Sequence, residues 1–322
     1  MCALARLFLG KGIMEQNKTQ KTKAAASPVN ADEMRRKKRK RIWISVACVL
    51  CSVVLLLVSV PCVFQIGCWH NQDTLRFWEP NYEQEDISAL LIKETLTEEE
   101  YDLLYRQTGV TKIGIDDMRT SFIGRQKILQ IQKNFFRDYV EFRRMFGPFT
   151  YTEEIEYKSV DELPIVADLK DGDILVSTSM YFSWWRFGHS ALVVDGAGKR
   201  ILEALEPGWQ SETSSVNTFR YRANFILLRP KVDEEIKAQV VEYAKTELIG
   251  LDYSFMVGLL SRKYEETPTK SQCAHIVWQA YKKFGIDIDS NGGKIVTPHD
   301  MYKSEYMEVV QVFGLDLDKL WE

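Results

Sequence analysis

From Ile42 to Phe64 the chain carries no charged residue, and valine and leucine dominate. As a helix rising about 1.5 Å per residue, such a run reaches across the roughly 30 Å hydrocarbon core of a bilayer. A soluble helix is expected to show one apolar stripe, not an apolar surface all round. The run therefore predicts a membrane span. After it, residues 69–150 read as mainly helical. Thr97 precedes Glu98, Glu99 and Glu100, the signature of a helix start with an N-cap and acids in the first turn. Apolar residues recur at helical spacing through Ile128, Ile131 and Phe135. From about residue 160 the period shortens to that of strands. Asp173–Ser177 follows a Lys-Asp-Gly turn, residues 189–194 and 200–204 flank a Gly-containing loop as a hairpin, and residues 224–229 form a further strand. A helix over 233–248 has Ile236, Val240, Tyr243 and Ala244 on one stripe. The helix carrying Cys273 comes next, and residues 308–312 close as a strand. Hairpins followed by helices predict an α+β domain rather than alternating βαβ units.

Charge sharpens this picture. Residues 1–41 hold twelve Lys/Arg against three Asp/Glu, which leaves thirty against forty-two for the rest. The basic run 35–41 directly precedes the span, so the positive-inside rule places it in the cytoplasm and the acidic body outside. An acidic body excludes a general nucleic-acid binder, which needs a basic face. Two forms of attachment fit. One is an uncleaved anchor, the preferred reading. The other is a lipoprotein signal over residues 34–67 that would lipidate Cys68. Of six cysteines, Cys48, Cys51, Cys62 and Cys68 lie in or beside the span and Cys2 precedes it. Only Cys273 stands in the exported body, where a thiol without a partner is a mild argument for chemistry.

A nucleophilic cysteine needs a base and a group that orients the base. Cys273 falls in the first turn of its helix, with Thr269 or Ser271 as the expected cap, and the helix N-terminus favours a thiolate. The structural alternative is a core cysteine, since Cys273, Ile276, Val277, Ala280, Tyr281 and Phe284 share one apolar stripe. There are four histidines. His70 adjoins the span, His275 is about 200° round the helix from Cys273, and His299 falls in a loop. His189 opens a strand after Gly188. If Val194 pairs with Arg200 across the hairpin, Glu203 opposes Ala191 and shares a face with His189. The aromatic run 181–187 reads either as a lid over the core or as a substrate wall or membrane contact. Asp173 reads as a turn residue or as a holder of a substrate cation. No Cys/His spacing predicts zinc and no Gly-rich phosphate loop follows a strand, so no cofactor is expected.

Six stretches carry a family resemblance: GDILV (172–176), GHSALVV (188–194), ILEA (201–204), LDYSF (251–255), QCAHIVWQAY (272–281) and TPHDMY (297–302). Their order resembles the circularly permuted, YiiX-like branch of the NlpC-type cysteine peptidases, over roughly residues 160–315. The resemblance implies a permuted papain-like fold, with Cys273 as nucleophile, His189 as base and Glu203 as the orienting residue. The family commonly has an acid two residues after the cysteine, where this chain has His275.

The expected organisation is a basic cytoplasmic tail (1–41), a transmembrane helix (42–64), a helical extension (69–155) and a permuted papain-like catalytic domain (156–322). Trp184, Trp185, Phe187 and Tyr253 are the expected substrate wall. The expected activity is hydrolysis of a peptide or other amide, such as one of the cell wall, at the outer face of the membrane. Transfer or hydrolysis of a lipid acyl group, and a non-catalytic binding module on the same fold, are the alternatives.

Overall fold

The computed structural model describes residues 28–70, 77–146, 150–182 and 185–321. Residues up to Ser59 and residues from Val60 onward form two separate compact units. As far as it is described, the first is the greater part of one helix, α1 (Pro28–His70), whose last turns belong to the second. Residues 28–33, expected in a disordered tail, are thus helical; the rest of that tail lies outside the described residues. The Ala31–Gly67 stretch is long and apolar enough to cross a membrane and its apolar window is unburied, which is compatible with a single-pass anchor or a signal sequence.

In the second unit the helices α2 (Ser88–Leu91), α3 (Glu98–Thr108), α4 (Lys112–Arg119) and α5 (Phe122–Phe135) precede a hairpin of β1 (Val140–Phe146) and β2 (Thr150–Glu156). Thr97 caps α3 as expected: its hydroxyl accepts Glu100 N–H, and Glu100 accepts Thr97 N–H. The hairpin departs from the expected helix through residue 155. Val140, Phe142 and Phe146, and Tyr151 and Ile155, recur at even spacing, a two-residue period interrupted by intervening Arg and Glu.

The chain continues through β3 (Ile174–Ser177), β4 (Met180–Phe182), β5 (Trp185–Arg186), β6 (His189–Asp195), β7 (Arg200–Glu203), β8 (Glu212–Ser215) and α6 (Val216–Arg220). Then follow β9 (Phe225–Pro230), α7 (Glu234–Glu247), β10 (Asp252–Tyr253), β11 (Lys270–Ser271), α8 (Cys273–Lys282), α9 (Pro298–Tyr302) and β12 (Met307–Phe313). Six strands form an antiparallel sheet in the order β12-β9-β3-β6-β7-β8, β1-β2-β4-β5 form a second, and β10-β11 make a short parallel pair. The fold is α+β with antiparallel sheets.

Both faces of the six-stranded sheet are covered. Ile174, Val176, Leu192, Leu202 and Ile226 pack with α7 and α8, whereas Leu175, Ala191, Val193, Ile201 and Leu227 pack with α3, α4 and α5. That is why β3, β6 and β9 are apolar at nearly every position instead of alternating. The segment after α3 closes the β12 edge. Gly109 adopts φ 68°, its carbonyl accepts Val312 N–H at 2.7 Å, and Thr111 N–H donates to Val310 O at 2.9 Å. A Cβ at Gly109 would lie 2.1 Å from the Val312 carbonyl oxygen, so only glycine fits this close approach.

A buried ion network ties α4 to the sheet. Arg229 on β9 donates from Nε and Nη2 to the two oxygens of Asp173 (2.9 and 2.7 Å), from Nη2 to Asp168 O, and from Nη1 to Asp117 of α4. Asp173 is fully buried in this network and serves structure, not a substrate cation. Arg229→Met leaves that carboxylate without its cation, and chemical denaturation should show a loss of about 3–5 kcal/mol. A loss under about 1 kcal/mol would mean that the network adds little.

Candidate functional site

The site begins where β6 starts. Gly188, at φ 83°, lies so close to Ser177 O that a Cβ would meet it at 2.5 Å, and its N–H donates to Met180 O at 2.9 Å. This tight entry sets His189 opposite Ser177 with no exposed surface. Across the hairpin, Leu192 pairs Leu202 and Val193 pairs Ile201, the register that puts Glu203 opposite Ala191. Near the loop the pairing differs from expectation: Asp195, not Val194, pairs Arg200, and a bulge between Val193 and Asp195 absorbs the extra residue.

His189 Nε2 and Glu203 Oε2 are 2.8 Å apart, with both side chains buried. The other Glu203 oxygen accepts hydroxyl hydrogens from Ser214 and from Thr218 (3.1 Å). Burial alone would raise the Glu203 pKa. The His189 hydrogen bond and charge, Arg222 and Ser214 outweigh it and bring it to about 2. Burial, and then the Arg222 charge, push His189 down to about 4 against the pull of Glu203. The resting pair is therefore a neutral imidazole donating from Nε2 to a carboxylate. Its Nδ1 has no hydrogen-bond partner among the described residues.

Cys273 is the first residue of α8 and is buried in the core with Ile276, Val277 and Ala280. Neither Thr269 nor Ser271 caps this helix. The Gln272 side chain does, accepting Ala274 N–H at 2.9 Å and the Cys273 thiol at 3.4 Å while donating to Val296 O at 2.7 Å. Ser271 is drawn instead to His275 Nδ1 (2.9 Å). The backbone N–H groups of Ser190 and Ala274 lie near enough to the Cys273 sulfur to draw its pKa down, and the head of α8 packs against β6. The helix start was expected to favour the thiolate. Burial overrides those N–H groups and the Arg222 charge and pushes the thiol up to about 12.

Arg222 escaped the sequence reading. Its only signal was a cation in Tyr221-Arg222-Ala223, next to an apolar strand. It is buried, lies 5.3 Å from the Phe219 ring centre, and Phe219 in turn stacks on His189 at 5.6 Å. Nε and Nη1 of Arg222 have no hydrogen-bond partner among the described residues. Arg222 lines a cavity of about 280 Å³ together with Thr152, Glu154, Met180, Leu205 and Thr218. A small apolar cleft of about 40 Å³ adjoins it, walled by Phe182, Phe187, Leu205, Tyr253 and Phe255. Neither these two cavities nor two larger grooves, about 730 and 710 Å³, include Cys273, His189 or Glu203 among their walls.

Of the expected substrate wall, Phe187 and Tyr253 share that cleft. Trp185 is exposed and meets Phe187 edge-on at 5.3 Å, and Trp184 lies outside the described residues. His275 is turned from the thiol into a clamp between Ser271 and the Lys263 carbonyl (2.6 Å). His299 sits on α9 rather than in a loop, against Tyr302 and Trp321. Among the described residues no group of three or more His, Cys, Asp or Glu is gathered in a way that could hold a metal ion.

No family model and no solved structure matches this chain. An uncharacterized protein, YycO of Bacillus subtilis (strain 168), is 27% identical over 134 residues, 41% of this chain and 52% of YycO. The chain thus spans about half the length of the curated relative it matches.

The two buried histidines set a pH dependence of stability. His189 and His275 both titrate near 4 when folded, against 6.5 when unfolded. The unfolded chain binds more protons in that window, so the stabilisation is complete above pH 6.5 and is lost as pH falls toward 4. Each histidine should remove about 2 kcal/mol between pH 7 and pH 5. His275→Gln should flatten the slope by one such share in denaturation curves at the two pH values; an unchanged slope would contradict a neutral, buried His275.

Proposed function

We propose that this protein is a membrane-anchored cysteine hydrolase of the permuted NlpC type, with a papain-like catalytic domain facing away from the cytoplasm. One observation carries the reading: a buried imidazole is fixed by a carboxylate through Nε2, keeps Nδ1 without a partner among the described residues, and starts the strand against which the helix headed by Cys273 packs. The order of those elements in the chain and the packing of α8 against the sheet support the fold assignment.

The chemistry follows from the resting protonation states. The thiol is protonated and the imidazole neutral, so attack on an amide carbonyl transfers the thiol proton to His189 Nδ1 as the C–S bond forms. Glu203 holds the Nε2–H tautomer and balances the imidazolium charge. The imidazolium then protonates the departing amine, which leaves an acyl thioester on Cys273. Water, losing its proton to His189, releases the acid. In this scheme Arg222 supplies fixed positive charge next to a centre where negative charge develops, at no cost of reorganisation.

The preferred substrates are peptides or related amides, with those of the cell wall foremost. A second reading, acyl transfer from or to lipid by the same three residues, draws support from the apolar cleft of Phe182, Phe187, Tyr253 and Phe255.

Cys273→Ala should abolish hydrolysis across a panel of peptide and cell-wall amides, and Glu203→Gln should slow it by about 10²–10⁴-fold with the fold intact. Arg222→Met should slow hydrolysis of the same panel by about 10²–10³-fold, read as kcat/KM. Hydrolysis that survives in Cys273→Ala would sink the nucleophile assignment, whereas no hydrolysis by the unsubstituted protein would favour a binding module on this fold.

A further inference from the structure

The end of the apolar run reaches an aromatic cluster. Phe64, within the unit that starts at Val60, meets Phe182 edge-on at 5.4 Å. Phe182 stacks on Phe255 at 5.2 Å, and Phe255 touches Phe187 (4.9 Å) and Trp185 (5.8 Å). Around these rings lie apolar side chains left in the open. Trp185 is 45% exposed, Leu259 44% and Leu260 78%, with Met256 also exposed. Trp209, likewise exposed, accepts Tyr253 N–H on its carbonyl at 3.1 Å.

The loop that presents Met256, Leu259 and Leu260 is held in shape. Val257 is buried beneath it, Leu260 N–H donates to Met256 O at 2.9 Å, and Gly258 adopts φ 84°. A Cβ on Gly258 would lie 1.8 Å from Lys294 O, so the loop is seated on that strand of chain as closely as a backbone can be. The His275 bond to the Lys263 carbonyl secures its far end. A segment fixed in this way keeps its leucines in water by construction, and contiguous exposed apolar surface marks a contact site.

We propose that Trp185, Trp209, Met256, Leu259 and Leu260 form a lipid-docking surface that rests in the interfacial layer of a bilayer. Lipid is the occupant because the ring cluster that Trp185 joins, and from which the Met256–Leu260 loop continues, runs to Phe64, the last residue of the apolar run. Tryptophan is also the side chain that favours the boundary between headgroups and hydrocarbon. Arg262 and Lys294 stand exposed beside the loop, which suits anionic headgroups. Docking this face brings the aromatic cleft next to the lipid surface. On the reading of Cys273 as a nucleophile, substrates held in the membrane are then nearest to hand.

The test uses the full chain reconstituted in phosphatidylcholine vesicles containing phosphatidylglycerol. A benzoylphenylalanine photocrosslinker replaces Leu260, Trp209 or, as a reference, Ile123, which is 80% exposed on α5. Mass spectrometry should find lipid adducts at Leu260 and at Trp209 roughly fivefold above those at Ile123. Trp209 keeps the test valid if the Leu260 variant misfolds. Lipid adducts at or below the Ile123 level at both positions, or adducts only to a second copy of the chain, would overturn the proposal. Cys273→Ala should crosslink as well as the wild type, so docking is read separately from any hydrolytic activity.

Discussion

A carboxylate and an imidazole share a 2.8 Å hydrogen bond where neither side chain has measurable contact with solvent. Burying either group alone would cost several kcal/mol, so the pair depends on every donor around it. Ser214 and Thr218 saturate the second oxygen of Glu203, Arg222 adds positive charge, and Phe219 covers the ring. The hairpin register, the bulge at its loop end and the glycine before His189 are the means by which the backbone brings these groups together. A slip of one residue would send Glu203 to the opposite face and strand both polar groups in hydrocarbon.

The same burial explains the electrostatics of Cys273. A helix start and two backbone N–H groups pull its proton off, whereas a dry core holds it on, and the core prevails. Local features that favour a thiolate are worth a unit or two, and full desolvation exceeds them. The resting site is thus charge-poor at the thiol and charge-rich at Arg222, whose Nε and Nη1 have no hydrogen-bond partner among the described residues. Such an arrangement offers positive charge to any negative group that enters beside it.

Much of this was legible in the chain. The alternation around the 195–199 loop gave the hairpin and put His189 and Glu203 on one face, because strand period and loop length constrain register strongly. Thr97 and the acids after it marked the start of α3. Other features were hidden for physical reasons. The β1–β2 hairpin alternates apolar residues with Arg and Glu, and its neighbour α5 drew the reading toward helix. Gln272 capped α8 in place of Thr269 or Ser271, since its reach to Val296 O is a tertiary matter. Arg222 had no periodic signal, and the protonation of Cys273 depends on depth, which a sequence does not display. Asp173 read as a turn residue or a holder of a substrate cation; it closes the turn with Lys170 and is met by Arg229, 56 positions later.

The closure of the β12 edge by residues 109–111 bears on how the molecule is made. Thr111 reaches across 198 positions to Val309, so an early segment is completed by nearly the last strand of the chain. Contacts of such separation pay their loop-closure entropy before they return any stability, which slows folding. The turn between α3 and α4 must wait for its partner until residues near 310 have emerged, though strands from β3 to β9 cover part of the helices earlier. During that interval the nascent body is vulnerable to aggregation and proteolysis.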